Sequence, residues 1–368
     1  MRTEELLLIA LGVAFILTEV CRKLKIPRAV GQMAAGIVLG ITLHAWFSPH
    51  NMDDFSFFAD VGAVLMFFFV GLEINVKDIR HYVQTGMLIA IFNTFIPLVA
   101  SIVIMPLLGF DFITSAIIGI CLAVSSQAAG VDFLEEMGLL HSRIGKLIVT
   151  AAAVDDFVEF ILIAVVLSFI HSAIEQQSLT DILIGFVIYL ALVLVFRYVV
   201  IPIFLKVLED EKSESNMLLG SVVILFLVAV AGDIFGIGGL LGAFTAGVLI
   251  RHTLLTGKNR RPWEELKIAH MIRTISFGLF VPVFFIWTGF NVNIGDVLAN
   301  PAFTILAIVI AFVGTVGGTT IGTMLGGRKP LEGFVVGWGV NAKGDTEVAI
   351  ASAALNAGAI TIAVYSGL

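Results

Sequence analysis

Cysteine is almost missing from this sequence. Cys21 and Cys121 are the only two in 368 residues, and both lie in or beside apolar runs, so no disulfide framework is indicated. Charge is nearly as scarce, at 13% of residues, which excludes an ordinary soluble globular domain. No alternating ten-residue segments occur, so a membrane β-barrel is excluded as well. There is no H-E-x-x-H and no obvious serine–histidine arrangement, which leaves an intramembrane enzyme without visible machinery. The net charge of -7 says little about partners, because loop charge in such a chain reports orientation; no nucleic-acid partner is expected.

Apolar residues are what the chain has in excess: 59% of it is hydrophobic, with a mean hydropathy of +1.05. With nine prolines and 36 glycines to break and pack the helices, this composition predicts an all-α polytopic membrane protein. Helices are expected near 4–22, 28–46, 56–76, 83–108, 112–137, 142–170, 180–206, 215–234, 237–250, 268–292, 301–325 and 331–356, with a thirteenth starting near 359. The first run, LLLIALGVAFILTEV, follows Glu4 and Glu5 and lacks a small-x-small cleavage site, so it is expected to stay attached. Arg22, Lys23, Lys25 and Arg28 come next. Basic residues favour the cytoplasmic side, which puts the N-terminus outside a cell (plasma) membrane. Of the 21 basic residues, all but Arg2, Arg197 and Lys343 then fall in or beside inside connections.

The sixth segment, GKLIVTAAAVDDFVEFILIAVVLSFI, carries Asp155, Asp156 and Glu159 near its middle. An ionised aspartate at mid-bilayer costs about 2.5–3.5 kcal/mol, and two of like charge cost more. Neighbours on a helix point about 100° apart, so the two cannot easily share one partner. One carboxylate facing a water-filled cavity and the other a packed helix is the functional reading.

An internal repeat accompanies the pair. GQMAAGIVL at 31–39 matches GAFTAGVLI at 242–250, and FFFVGLEIN at 67–75 matches FIWTGFNVN at 285–293. The matches are displaced by seven helices, an odd number, so the halves would cross the membrane in opposite senses, as in many secondary transporters. One transmembrane domain over 1–368 is expected, with inverted repeats at about 4–171 and 215–368 linked by the helix at 180–206. Laying Gly138 on Gly358 puts the counterpart of Asp155 near position 375, so the last helix is expected to be truncated, and a regulatory domain beyond it is compatible with the pattern.

Two other segments interrupt their apolar runs. The fifth, GICLAVSSQAAGVDFLEEMG, does so with Ser125, Ser126, Gln127 and Gly130; the twelfth, VVGWGVNAKGDTEVAIASA, with Asn341, Lys343, Gly344, Asp345, Thr346 and Glu347. Glycine and small polar residues in mid-span are where a helix breaks and leaves main-chain groups free for an ion. Opposed helix ends gather partial charge, which Lys343 and a carboxylate such as Asp132, Asp345 or Glu347 would offset. Ordinary glycine and serine packing between helices is the competing explanation.

These residues resemble a known family. A VDD pair on the sixth helix, a broken fifth helix, GLE at the end of the third and NAKGDTE in the twelfth are similar to the monovalent cation/proton antiporter-2 group of bacterial sodium/proton and potassium/proton exchangers. The resemblance implies an inverted-repeat antiporter fold of about 13 helices with the fifth and twelfth discontinuous, a homodimer, and an elevator-type motion. It implies Asp156 as the main cation and proton carrier, Asp155 as a second carrier or salt-bridge partner, and Ser125 and Ser126 beside the cation. Electrogenic relatives carry a lysine on the eleventh helix facing the first aspartate. Here the aligned position is Thr315, and no basic residue occurs in that helix. Lys343, Asn341, Glu347 and Glu159 are supporting candidates; Glu159 lies three residues beyond Asp156, on a face from which it is placed to pair with a cation such as Lys343. Glu73 is a weaker candidate of the same kind.

The expected mechanism is competition. A sodium, potassium or lithium ion stabilises the ionised pair and displaces its proton, so binding of one excludes the other, with no cofactor and with the lipid bilayer and a second copy of the chain as the other partners. A sodium-coupled organic-anion symporter could share the architecture, but adjacent aspartates argue against an anion beside them. A passive channel or receptor is compatible with composition alone.

Overall fold

A bilayer core holds no water to bond a bare backbone, so each apolar run must satisfy its own N–H and C=O groups, and helices do this within one segment. The computed structural model describes residues 3–24, 26, 28–43, 49–73, 83–125, 142, 144–145, 147–148, 151, 155, 158, 179–203, 214–235, 239–256, 262–341, 343 and 346–368. Among the described residues every regular element is helical.

In chain order these are α1 (Thr3–Lys23), α2 (Arg28–Leu43), α3 (Pro49–Glu73), α4 (Val83–Ile104), α5 (Phe112–Ala123), α6 (Leu179–Val195), α7 (Glu214–Ile234) and α8 (Gly239–Thr256). The second half continues with α9 (Pro262–Ile275), α10 (Val281–Phe290), α11 (Ile294–Ala299), α12 (Pro301–Leu325), α13 (Pro330–Val340), α14 (Thr346–Asn356) and α15 (Ile362–Gly367). A 3₁₀ turn at Met105–Leu108 extends α4, and π-helical turns occupy Phe196–Val200 and Ser276–Phe280.

Helix ends depart from the sequence expectation for local reasons. α3 starts at Pro49 rather than near 56, because proline suits a first helical position where its missing N–H is not needed. α8 runs past 250 to Thr256, and the Arg251 guanidinium on this added turn donates to the Leu72 carbonyl near the end of α3. The last helix begins at Ile362, not 359: Gly358 takes a left-handed φ of 68°, and the Thr361 hydroxyl then accepts from the Val364 N–H as a cap. α11 was not anticipated; Asn293 caps it through the Gly295 N–H.

Four described helical stretches are long and apolar enough to cross a bilayer: Gln84–Leu108, Ser215–Ile234, Ala269–Phe290 and Pro301–Leu325. Large apolar side chains stand exposed, Phe15 at 75% and Leu107 at 83%, which suits a hydrocarbon solvent rather than water.

The chain forms two compact units. Unit 1 is Met1–Ile74 with Leu167–Phe290, and unit 2 is Asn75–Val166 with Asn291–Leu368. Inside unit 1, α2 packs on α10 and α3 on α8 through glycines. A Cβ added at Gly36 would lie 2.0 Å from the Ile286 carbonyl oxygen, and one at Gly289 the same distance from that of Met33. Likewise Gly71 faces Phe244 and Gly247 faces Phe68, each at 2.2 Å from the carbonyl oxygen. Only hydrogen fits there. Around these contacts lies a core of Ala10, Ala35, Leu39, Phe55, Ile286 and Phe290.

Unit 2 is organised around α4 against α12, flanked by α5 and α13. Glycine again sets the spacing: a Cβ at Gly318 would lie 2.2 Å from the Phe92 carbonyl oxygen, and one at Gly314 would meet Pro97. A second apolar cluster, Ile89, Leu147, Ile148, Ala151, Val336 and Val340, fills one side.

Candidate functional site

The polar centre of unit 2 begins on α4, in the run AIFNTFIPLVA. Pro97 has no N–H to give the carbonyl of Asn93 four residues earlier, so the helix is weakened where its two polar residues sit. Asn93 and Thr94 are both fully buried, and both point at Asp155, itself 1% exposed. The Asn93 amide Nδ2 donates to Asp155 Oδ2 at 2.6 Å, and the Thr94 hydroxyl to Oδ1 at 2.9 Å. Each carboxylate oxygen therefore has its own donor. From α12 the Thr319 hydroxyl donates to Asn93 Oδ1 at 3.5 Å, closing a chain from one helix through the amide to the acid. Thr323 donates back to the Thr319 carbonyl at 2.7 Å.

Thr315, the aligned position on that helix, is fully buried, and its hydroxyl has no hydrogen-bond partner among the described residues. The threonine that joins the Asp155 network is Thr319, one turn along.

The second part of the site lies at the end of α5 and between α13 and α14. α5 stops at Ala123, with Val124 turning to an extended ψ of 143° and Ser125 buried beyond it, its hydroxyl donating to the Ala123 carbonyl at 3.5 Å. The carbonyls at such an end lack helical partners and carry partial negative charge. Lys343 supplies the compensation, its Nζ donating to the Val124 carbonyl at 2.6 Å. The stretch expected near 331–356 is two helices, α13 and α14, with Asn341 and Lys343 non-helical between them. Asn341 ends α13, and its buried side-chain oxygen has no hydrogen-bond partner among the described residues. Glu347, 8% exposed, sits in the first turn of α14, where the helix dipole favours an acid.

Of the predicted site residues, Asp155, Ser125, Asn341, Lys343, Glu347 and Thr315 thus all belong to unit 2. Asp156, Ser126 and Glu159 lie outside the described residues, as do Asp132 and Asp345. Asn93, Thr94 and Thr319 were missed. A signal for the first two was present: an Asn-Thr pair in mid-span, three residues before a proline. Among the described residues no cluster of three or more His, Cys, Asp or Glu side chains is placed to hold a metal ion. The oxygens on hand are hydroxyl, amide and carboxylate groups, ligands of the kind that hard cations take.

Residues 7–367 match the transmembrane sodium/hydrogen exchanger family. The chain belongs to that family. It is 26% identical over 333 residues to the Na+/H+-K+ antiporter GerN of Bacillus cereus, spanning 90% of this chain and 82% of that one. A Na+/H+ antiporter of Enterococcus hirae is 23% identical over 339 residues, spanning 90% and 84%. Among solved structures, the sodium/proton antiporter MjNhaP1 of Methanocaldococcus jannaschii shares the fold, with a TM-score of 0.71 at 14% identity, covering 99% of this chain and 91% of that one. The exchanger family consists of antiporters, so the protein is a multi-pass membrane transporter that exchanges a monovalent cation for a proton, not an enzyme, and needs no cofactor.

Proposed function

We propose that this exchanger moves Na+ against H+ at the Asp155–Asp156 pair. The observation that carries the reading is the buried acid with a donor on each oxygen, in the unit where a lysine meets a carbonyl at the end of α5. Sodium stabilises the ionised pair and a proton the neutral one, so occupancy by either excludes the other. Asp156 is the main carrier, with Ser125 and Ser126 approaching the cation. An elevator-type motion that carries the occupied site but disfavours the bare charge then yields exchange. Asp156→Asn should abolish sodium-dependent proton movement in everted vesicles, and full exchange in that variant would reject the assignment.

The repeats are inverted halves of a fold of about 13 helices, in a homodimer with the N-terminus outside the plasma membrane. The reciprocal glycine contacts support the repeat: Gly36 of the first motif meets the Gly289 segment of the second, and Gly247 meets the Gly71 segment. A second reading, K+/H+ exchange, draws on the potassium in the name of the Bacillus cereus relative, a Na+/H+-K+ antiporter. Proton flux from liposomes challenged in turn with lithium, sodium and potassium decides between them. Thr315, standing where electrogenic relatives carry a lysine, favours electroneutral one-for-one exchange. A strong dependence of transport on imposed membrane potential would overturn that stoichiometry.

A further inference from the structure

A buried carboxylate is tolerated only when its oxygens are met by donors, and which donors meet it decides how readily it gives up or takes a proton. Asp155 has its oxygens met from one turn of a single helix: Asn93 and Thr94 are adjacent, and each takes a different oxygen. Two donors on two oxygens fix the carboxyl plane as well as its position. The amide is itself oriented from behind, because Thr319 donates to Asn93 Oδ1 and so turns the Nδ2 hydrogens toward the acid. Pro97 adds a local reason for the geometry. It removes the bond that would tie the Asn93 carbonyl into the helix, and it is wedged against Gly314 of α12, so this turn of α4 is held by the neighbouring helix.

We infer that Asn93 and Thr94 are positioning residues of the exchange reaction, fixing the orientation of Asp155 and setting the pH range over which it is ionised, with Thr319 holding Asn93 in register. The inference rests on the reading of the aspartate pair as the exchange site. A group that merely packs the core would change the amount of folded protein. These donors, in contrast, act on one protonation state, so losing them moves the pH profile.

The test uses the full chain in liposomes, with sodium-driven proton flux measured across a pH series. Thr94→Val keeps the shape and removes the hydroxyl; it should move the half-maximal pH upward by about one unit, the scale of one hydrogen bond to a charged group. Thr94→Ser restores the donor and should return the wild-type profile. Asn93→Leu should shift the profile in the same direction and further, since it also strands Thr319; if it does not fold, the Thr94 pair decides alone. A profile that stays in place in Thr94→Val, whatever its amplitude, overturns the inference, as does a shift that Thr94→Ser fails to reverse. Asp156→Asn in the same preparation separates the two claims: retained exchange there sinks the proposed carrier, while the Thr94 shift still reports on Asp155.

Discussion

The interiors of the two units are built from different material. Among the described residues, the buried polar side chains of unit 1 are Ser221, Ser276 and Thr288, and two of these donate to carbonyls of their own helix, at Met217 and Phe284. Its remaining interior is glycine contact and aromatic packing, such as Phe55 on Trp287 and Phe69 on Phe277. Unit 2 buries Asn93, Thr94, Ser125, Asp155, Thr319 and Glu347 among others, and four of its hydrogen bonds link segments distant in sequence. Unit 1 reads as a frame whose tolerance is steric. Unit 2 is a polar device whose tolerance is electrostatic, and the two should fail in different ways when mutated.

The largest effect expected is steric. Gly36→Val drives a side chain into the Ile286 carbonyl, where no flexible atom can yield, and should lower stability by about 3 kcal/mol. Gly12→Ala, with no described atom within 4 Å of the new Cβ, should leave it unchanged or slightly raised. Melting in detergent compares them; equal losses would dissolve the idea of a glycine-set frame.

Next comes charge in unit 2. Lys343→Met leaves the α5 end with a bare carbonyl and should cost about 2 kcal/mol, the loss of a charged hydrogen bond inside the protein. A melting temperature that does not move would remove Lys343 from its compensating role.

The comparison sharpens with one substitution made in both units. Thr319→Val breaks the link to Asn93 and should cost about 1.5 kcal/mol, whereas Thr253→Val in unit 1 loses an own-helix bond to the Leu249 carbonyl and should cost less than about 0.5 kcal/mol. Similar values for both would mean that the polar network contributes nothing beyond packing.

The smallest effect lies at the rim of unit 2. Asp111 caps α5, accepting from the Ile113 and Thr114 N–H groups, and the Thr114 hydroxyl followed by those amides holds its carboxyl below the usual range. A lowered native value means that the contribution is complete above the unfolded value of about 3.9 and fades as pH falls through the native one. Asp111→Ala should therefore cost about 1 kcal/mol at pH 7, with the difference from wild type shrinking toward pH 3. A gap that widens in acid would contradict the cap.

Much of the architecture was legible because membrane solvent leaves few options. Apolar runs had to be helices, and α1, α7 and α12 fall within a residue or so of their expected ends. The close contacts of unit 1 were legible in Gly36, Gly71, Gly247 and Gly289 of the expected repeat, since only glycine permits such backbone approach. Lys343 could be expected near a helix end because a lone cation in an apolar span has to find partial negative charge somewhere. Asn93 and Thr94 escaped notice because an isolated polar pair in a membrane helix is common, and nothing local names its partner.

Composition and spacing determined by themselves that this chain is a helical membrane protein, and they singled out an acidic pair, two polar-interrupted segments and a repeated glycine motif as its candidate features. Tertiary structure decided the partners: Asn93 reaches Asp155 across 62 residues of chain, and Lys343 reaches Val124 across 219. The physical reason is range. Solvent preference and backbone sterics act residue by residue and leave their mark in the string, whereas a hydrogen bond depends on ångström-scale placement that only packed helices define.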